Sequence, residues 1–180
     1  MRHMLLSTNR RSLIGLAALG SGLLLLAAFA FQHLGGLAPC AMCLWARWPH
    51  AAAVAIGAVG LALPRAPIAI LGAGAMLGNA GLALYHTGVE RDWWEGPTSC
   101  SGGAGLGDIS VAALLDPNSG SGLVLCDEVA WEMLGLSMAS WNGLASLALA
   151  SLWLIAALSP SAPRSAAAPG PGGGRSLSGR

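Results

Sequence analysis

Four long apolar stretches set what this chain can fold into. They run at about 12–31, 45–63, 68–86 and 141–158, and none contains an acidic residue. Each is close to the roughly 20 residues that a helix needs to cross the hydrocarbon core of a bilayer. Of the 180 residues, 54% are hydrophobic and only 9% are charged, against about a quarter charged in soluble proteins. The sequence therefore predicts an all-α, four-helix transmembrane bundle, with the membrane domain covering 1–158.

Charged residues are segregated along the chain in a way that predicts its topology. All eight acidic residues lie between 90 and 132. The arginines that flank the apolar stretches are Arg10, Arg11, Arg65 and Arg164. By the positive-inside rule, we expect both termini and the turn between the second and third stretches to be cytoplasmic. Two outer loops, at about 32–44 and 87–140, then lie on the side of the membrane opposite the cytoplasm.

The two ends of the chain carry weaker signals. The first apolar stretch and Ala28-Phe29-Ala30 also resemble a cleavable signal peptide, but the stretch is longer than usual and its removal would place the two ends on opposite sides. Apart from Leu177, the segment 159–180 consists of Pro, Gly, Ser and Ala with three arginines, and we expect it to be a disordered cytoplasmic tail. The absence of lysine and a net charge of +1 argue against a nucleic-acid partner.

The second outer loop is the one long segment outside the membrane. The glycines of 102–107 predict a flexible stretch. Asp108 is a candidate cap for a short amphipathic helix at 109–115 on the bilayer surface. Four tryptophans are typical of anchors at the membrane interface: Trp93, Trp94, Trp131 and Trp141.

The four cysteines all fall in the predicted outer loops, where thiols can be oxidised. Cys40 and Cys43 form a C-x-x-C pair, which can cycle between dithiol and disulfide. A disulfide of Cys100 with Cys126 could take electrons from a soluble dithiol and pass them to the first pair. Inert thiols and a permanent loop disulfide are the simpler alternatives. Because the sequence shows no haem, flavin or metal-cluster motif, a membrane quinone is the electron acceptor that fits.

Two further residues are candidates for quinone binding. Arg47 follows Cys43 by four residues, so on a helix it would lie one turn away and could stabilise a thiolate or a reduced quinone oxygen. His86 could bind a quinone carbonyl or move a proton, whereas His33 and His50 are weaker candidates. Zinc held by the C-x-x-C pair and two histidines is conceivable, but the spacing does not indicate a fixed tetrahedral site. We therefore predict no metal.

Several motifs, taken in order, resemble the disulfide bond formation protein B (DsbB) family of bacterial quinone reductases. The matching segments are Phe31-Gln32-His33, Pro39 to Cys43, Arg47, Tyr85-His86, Gly88-Val89-Glu90, Trp93-Trp94, Gly96-Pro97, Cys100, Cys126, Trp131, Leu134 to Met138 and Trp141-Asn142. The ordered set of four cysteines is the most specific feature. One departure is Ala46, where many relatives carry an acidic residue. The related vitamin K epoxide reductase type has its C-x-x-C late in the chain, which disfavours it here.

The resemblance implies a function and a role for each cysteine. The protein would reoxidise a soluble periplasmic DsbA-type thiol oxidase and pass the electrons to ubiquinone or menaquinone, in the bacterial inner membrane. Cys100 would form the mixed disulfide with that partner, and Cys126 would exchange with Cys40. Cys43 would face the quinone beside Arg47. A non-catalytic membrane scaffold with a disulfide-stapled loop is the main alternative, and a metal-binding transporter, for which Asn79 is the one clear polar residue in the spans, is a third.

Overall fold

The computed structural model describes residues 9–97 and 125–160, and these form a bundle of four helices. A short β-hairpin precedes the last helix. The helices are α1 (Arg10–His33), α2 (Ala41–Ala62), α3 (Ala66–Glu90) and α4 (Met138–Leu158), and the strands are β1 (Glu132–Met133) and β2 (Leu136–Ser137). The predicted all-α bundle is confirmed, apart from the hairpin, which the sequence did not indicate. The predicted helix at 109–115 and the tail beyond 160 lie outside the described residues.

Three of the four helices are long and apolar enough to cross a membrane: α1, α3 and α4. Helix α2 has 22 residues but does not meet the same criterion, although four spans were predicted. The reason lies in its first third, where Arg47, Pro49 and His50 interrupt the apolar run. The protein is thus a membrane protein with three helices that qualify as spans by length and composition, and a more polar fourth helix in the same bundle.

The helices also extend past the predicted spans, which changes the setting of the cysteines. Cys43 was predicted in an outer loop but lies in the first turn of α2, because Cys40 caps this helix and starts it at Ala41. Helix α3 continues to Glu90 instead of ending at His86. Helices α1 and α3 end, and α2 and α4 begin, at the same end of the bundle. We call this end the cysteine end.

Small residues let the helix backbones approach closely, as their abundance in the spans predicts. Gly57 on α2 lies so close to Ala18 on α1 that a Cβ there would collide with it. Gly72 on α3 provides the space for the ring of Trp153 on α4, which is fully buried. The outward faces carry large exposed hydrophobic side chains instead, among them Leu19, Leu23, Ile70, Leu71, Leu84, Leu147 and Ile155. This distribution suits a bundle that is surrounded by lipid.

Arg10 joins three parts of the bundle at the end opposite the cysteines. It is buried, and its Nε donates to the carbonyl of Ala156 at 2.9 Å, while its Nη atoms donate to the carbonyls of Pro64, Ala157 and Ser159. The last carbonyls of a helix have no partner within that helix and carry a partial negative charge. The guanidinium therefore satisfies the end of α4 and connects it to α1 and to the α2–α3 turn.

The hairpin orients the start of α4. Glu132 pairs with Ser137 and Met133 with Leu136 in antiparallel register. Between them, Leu134 and Gly135 both have positive φ, 56° and 76°, the conformation of a type I′ turn. Leucine rarely adopts it, so sequence propensity gave no signal for this turn.

The contact between Gly72 and Trp153 predicts that adding a single methyl group at position 72 destabilises the fold. We expect Gly72→Ala to lower the free energy of unfolding by about 1–3 kcal/mol, because its Cβ would collide with the buried indole and overpacking has costs of this size. Gly74→Ala, two residues away, is the matched control, since nothing lies within 4 Å of a Cβ there. Thermal unfolding in detergent would compare the two; equal melting temperatures would contradict the packing described.

Removing the Arg10 side chain should open the end opposite the cysteines. We expect Arg10→Ala to cost about 2–3 kcal/mol, the range for losing hydrogen bonds from a charged donor. The exposed neighbour Arg11 provides the control, because Arg11→Ala removes the same charge without these bonds. Denaturant unfolding of both variants measures the difference, and similar stabilities would refute the role of Arg10.

Candidate functional site

A cavity of about 360 Å³ lies at the cysteine end of the bundle. Its walls come from α1, the 34–40 connection, α2, the end of α3, residues just before β1, and the start of α4. Four predicted site residues line it together: Cys40, Cys43, Arg47 and His86. The fold thus brings side chains that are up to 46 positions apart into one site.

Cys40 and Cys43 are held together at the N-terminus of α2. Both are free thiols, and their sulfurs lie 3.0 Å apart. Cys40 has extended backbone geometry as the N-cap, and its sulfur accepts the backbone N–H of Cys43 at 3.3 Å. This is the position where the N-terminal end of a helix favours negative charge. The C-x-x-C spacing therefore places one sulfur in the cap and the other in the first turn.

The surroundings of Cys40 favour a negative charge on its sulfur. The sulfur receives the backbone N–H of Cys43 and also lies 3.5 Å from Nε2 of His86. The hydrogen bond with the Cys43 side chain, helped by His86, lowers the pKa of Cys40, although burial by itself would raise it. The arrangement therefore favours a Cys40 thiolate beside a Cys43 thiol.

His86 connects Cys40 to an acidic residue that the sequence did not single out as part of the site. The two side chains of His86 and Glu90 lie one turn apart on α3, with Nε2 3.7 Å from Oε1, and are only 8% and 6% exposed. Glu90 also lines the cavity, and its Oε2 is buried without a hydrogen-bond partner among the described residues. The i,i+4 spacing from His86 was the available signal.

Arg47 lies one turn after Cys43 and lines the same cavity, as the spacing predicts. Its guanidinium carbon lies 4.8 Å from the centre of the Phe29 ring on α1, within the range of a cation–π interaction. Its Nε is buried and has no acceptor in the described part of the chain. Arg47 is thus held in place by an aromatic ring while one of its N–H groups remains unsatisfied.

Cys126 lies against the first cysteine pair. It is fully buried and disulfide-bonded, and it belongs to one buried cluster with Cys40, Met42 and Val89. Cys100 lies outside the described residues. The structure therefore brings one cysteine of the second outer loop to the beginning of α2.

A second polar group lies deeper in the bundle and was largely missed from sequence. His50, Asn79 and Ser146 are buried, and with Asn142 they form hydrogen bonds across α2, α3 and α4. The expectation that Asn79 is the one clear polar residue in the spans was therefore wrong. His33, in contrast, is exposed on α1 and stacks on Phe29.

The structure brings together three of the four ligands that the zinc hypothesis requires. One donor atom each from Cys40, Cys43 and His86 lies within 4.8 Å of the others. A structural zinc site needs four ligands. His50 is engaged with Asn142, and His33 is exposed. Among the described residues, one histidine joins the pair, where the zinc hypothesis required two.

The thiolate assignment predicts reactivity in acid. We expect Cys40 of the reduced protein to be alkylated by iodoacetamide at a pH well below that needed by an ordinary cysteine, because the thiolate is the nucleophile and the pKa of Cys40 is lowered. His86→Phe should move the midpoint of the rate profile to higher pH, whereas His33→Phe should leave it in place. Mass spectrometry of the modified peptide measures the profile. A midpoint near 8.5, that of an ordinary cysteine, would contradict the assignment.

The chain is similar to known proteins of one family. The family model for disulfide bond formation protein DsbB matches residues 10–156. The chain is 32% identical to Disulfide bond formation protein B 2 of Pseudomonas aeruginosa over 136 residues, 69% of this chain and 77% of the relative. It is 36% identical to Disulfide bond formation protein B of Pasteurella multocida over 132 residues, 67% of this chain and 71% of the relative. No solved structure matches the chain significantly. With the family model covering all four helices, the chain belongs to the DsbB family of disulfide bond formation proteins.

Proposed function

We propose that this protein is an inner-membrane oxidoreductase that reoxidises a soluble periplasmic DsbA-type dithiol and passes the electrons to a membrane quinone. One observation carries the proposal. Cys126 of the second loop and Cys40 of the C-x-x-C pair share a buried cluster, and Cys40 and Cys43 line a cavity next to it. One cysteine of the second loop, the C-x-x-C pair and the cavity thus adjoin one another, which supports a relay in that order.

The relay consists of two thiol–disulfide exchanges and one transfer to the acceptor. The partner's dithiol attacks the disulfide of Cys100 with Cys126, which leaves the partner oxidised and the loop cysteines as two thiols. Cys126 then attacks the disulfide of Cys40 with Cys43, which reforms the loop disulfide and leaves the first pair as a dithiol. Each exchange breaks one S–S bond and forms another. The reduced Cys40–Cys43 pair finally gives two electrons to a quinone, which takes one proton from the Cys43 thiol and one from solvent and leaves as hydroquinone.

The cavity fits a quinone head group. Its volume of about 360 Å³ lies within the range of small-molecule sites, which are mostly apolar with a few placed polar groups. Buried polar atoms without partners among the described residues, Nε of Arg47 and Oε1 of Gln32, belong to residues that line it. Arg47, His86 and Cys43 would hold ubiquinone or menaquinone, which supplies a two-electron acceptor when bound.

The cysteine end faces the periplasm in this proposal, and both chain termini are cytoplasmic. Arg10, Arg11 and Arg65 lie at the opposite end of the bundle, where the positive-inside rule places the cytoplasm. Oxidation of thiols requires the periplasmic side. The sulfur chemistry and the charge distribution support the same orientation.

The relay predicts a fixed stoichiometry without quinone. Fully oxidised wild type should oxidise two equivalents of a reduced DsbA-type dithiol, because it stores two disulfides. Cys43→Ser should oxidise one equivalent, since the loop disulfide remains, and Cys126→Ser should oxidise none. Anaerobic titration with thiol counting measures each value. Added ubiquinone should make the wild type catalytic, and both variants should reach only background turnover because serine cannot form a disulfide.

The same titration separates the proposal from a stapled scaffold. A scaffold keeps its disulfides and oxidises no dithiol in any of the three proteins. Wild type that exchanges with the dithiol but does not turn over with ubiquinone or menaquinone would refute the quinone step specifically.

A further inference from the structure

The buried polar cluster between α2, α3 and α4 consists of His50, Asn79, Asn142 and Ser146. One of its ring nitrogens lacks a hydrogen-bond partner, which a purely structural role does not explain. His50 is 4% exposed, yet its Nδ1 has no hydrogen-bond partner among the described residues. His50 and Asn142 both line the cavity, whereas Asn79 and Ser146 do not. A residue of the candidate quinone site thus carries a buried imidazole nitrogen that has no partner among the described residues.

The partners of the other ring nitrogen fix the tautomer of His50. Its Nε2 lies 2.9 Å from Oδ1 of Asn142, an oxygen that can only accept, and 3.0 Å from Nδ2 of Asn79, a donor. Nδ2 of Asn79 has two hydrogens, and two other acceptors take them: Ser146 at 2.8 Å and Oδ1 of Asn142 at 3.4 Å. Nε2 of His50 therefore carries its own proton and donates it to Asn142. In the neutral ring Nδ1 is then a bare acceptor, which can receive an O–H but cannot hydrogen-bond a carbonyl.

His50 lies on the same face of α2 as two other residues of the candidate site, Cys43 and Arg47. It follows Cys43 by seven residues and Arg47 by three, and all three line the cavity. Seven residues of helix correspond to about 10 Å along the axis. The cavity therefore continues along α2 from the dithiol to His50.

We propose that His50, fixed by Asn142, accepts a hydrogen bond from a hydroxyl of the reduced quinone and so makes the site prefer hydroquinone over quinone. The inference rests on the proposed function and adds a residue to its acceptor site. The redox step is unchanged: the reduced Cys40–Cys43 pair loses two electrons and the proton of Cys43, the quinone gains these and one proton from solvent, and His50 ends with the protons it began with. Nδ1 of His50 can form this hydrogen bond only after the quinone oxygen has been protonated. The bond therefore stabilises bound hydroquinone and not bound quinone.

The test compares binding of a short-chain ubiquinone and its quinol to the full-length protein. Every arm carries Cys43→Ser, which stops electron transfer, and binding is followed by quenching of tryptophan fluorescence, since Trp131 and Trp141 line the cavity. We expect the quinol to bind more tightly than the quinone. His50→Phe should weaken quinol binding by about ten-fold, the loss commonly caused by removing one buried hydrogen bond, and should change quinone binding by less than about two-fold. His33→Phe is the matched control and should change neither.

Asn142→Leu is a second test, because it should reverse the preference between quinol and quinone. With its oxygen removed, Nε2 of His50 is left with Nδ2 of Asn79 at 3.0 Å, a donor. Nε2 then accepts, the proton moves to Nδ1, and the preference should reverse toward the quinone carbonyl. This variant decides the question even if His50→Phe fails to fold.

An unchanged ratio of quinol to quinone affinity in His50→Phe or in Asn142→Leu would overturn the inference. That outcome is distinct from failure of the proposed function, which is judged by whether the protein with all four cysteines reduces quinone with a reduced dithiol. A reversed preference in Asn142→Leu, together with turnover by the protein with all four cysteines, supports both.

Discussion

Close approach of the helix backbones is the constraint on which the rest of the structure depends. Lipid offers little hydrophobic gain for helix association, so packing and interhelical hydrogen bonds must supply it. Gly57 against Ala18, and Gly72 against Trp153, leave no room for a further methyl group. The large apolar side chains are consequently turned outward. At one end, the buried Arg10 satisfies the last carbonyls of α4.

The same dry interior determines how polar groups are arranged. A polar group without a partner is costly in a low-dielectric interior, and His50, Asn79, Asn142 and Ser146 hydrogen-bond to one another across three helices. Among the described residues, buried polar atoms without a partner remain on Asn79 and Trp153 and on four residues that line the cavity: Gln32, Arg47, His50 and Glu90. The four residues at the cavity favour a ligand with polar atoms of its own over an apolar filler.

In helix α2, residues of the candidate site lower the hydropathy that a membrane span requires. It is the helix that does not meet the criterion for a span, and it carries Cys43, Arg47 and His50, with Cys40 as its cap. The residues that lower its hydropathy are largely those that line the cavity. Its neighbours compensate, since α1 provides Phe29 for Arg47 and α3 provides His86 for Cys40. Helix α2 is thus more polar than the other three because it carries much of the site.

The sequence by itself determined the helical bundle and the placement of Arg47 one turn after Cys43, because apolar length and i,i+4 spacing are local properties. It could not show that Asn142 would join the site, since its partner His50 lies 92 positions away in the chain. The Leu134–Gly135 turn was equally hidden, because a leucine with positive φ is set by its surroundings and not by its propensity. Tertiary structure also decided the surroundings of the Cys40 sulfur, since His86 on α3 lies 3.5 Å from it. Burial, tautomer and cavity arise only when helices pack, so they are absent from any single stretch of sequence.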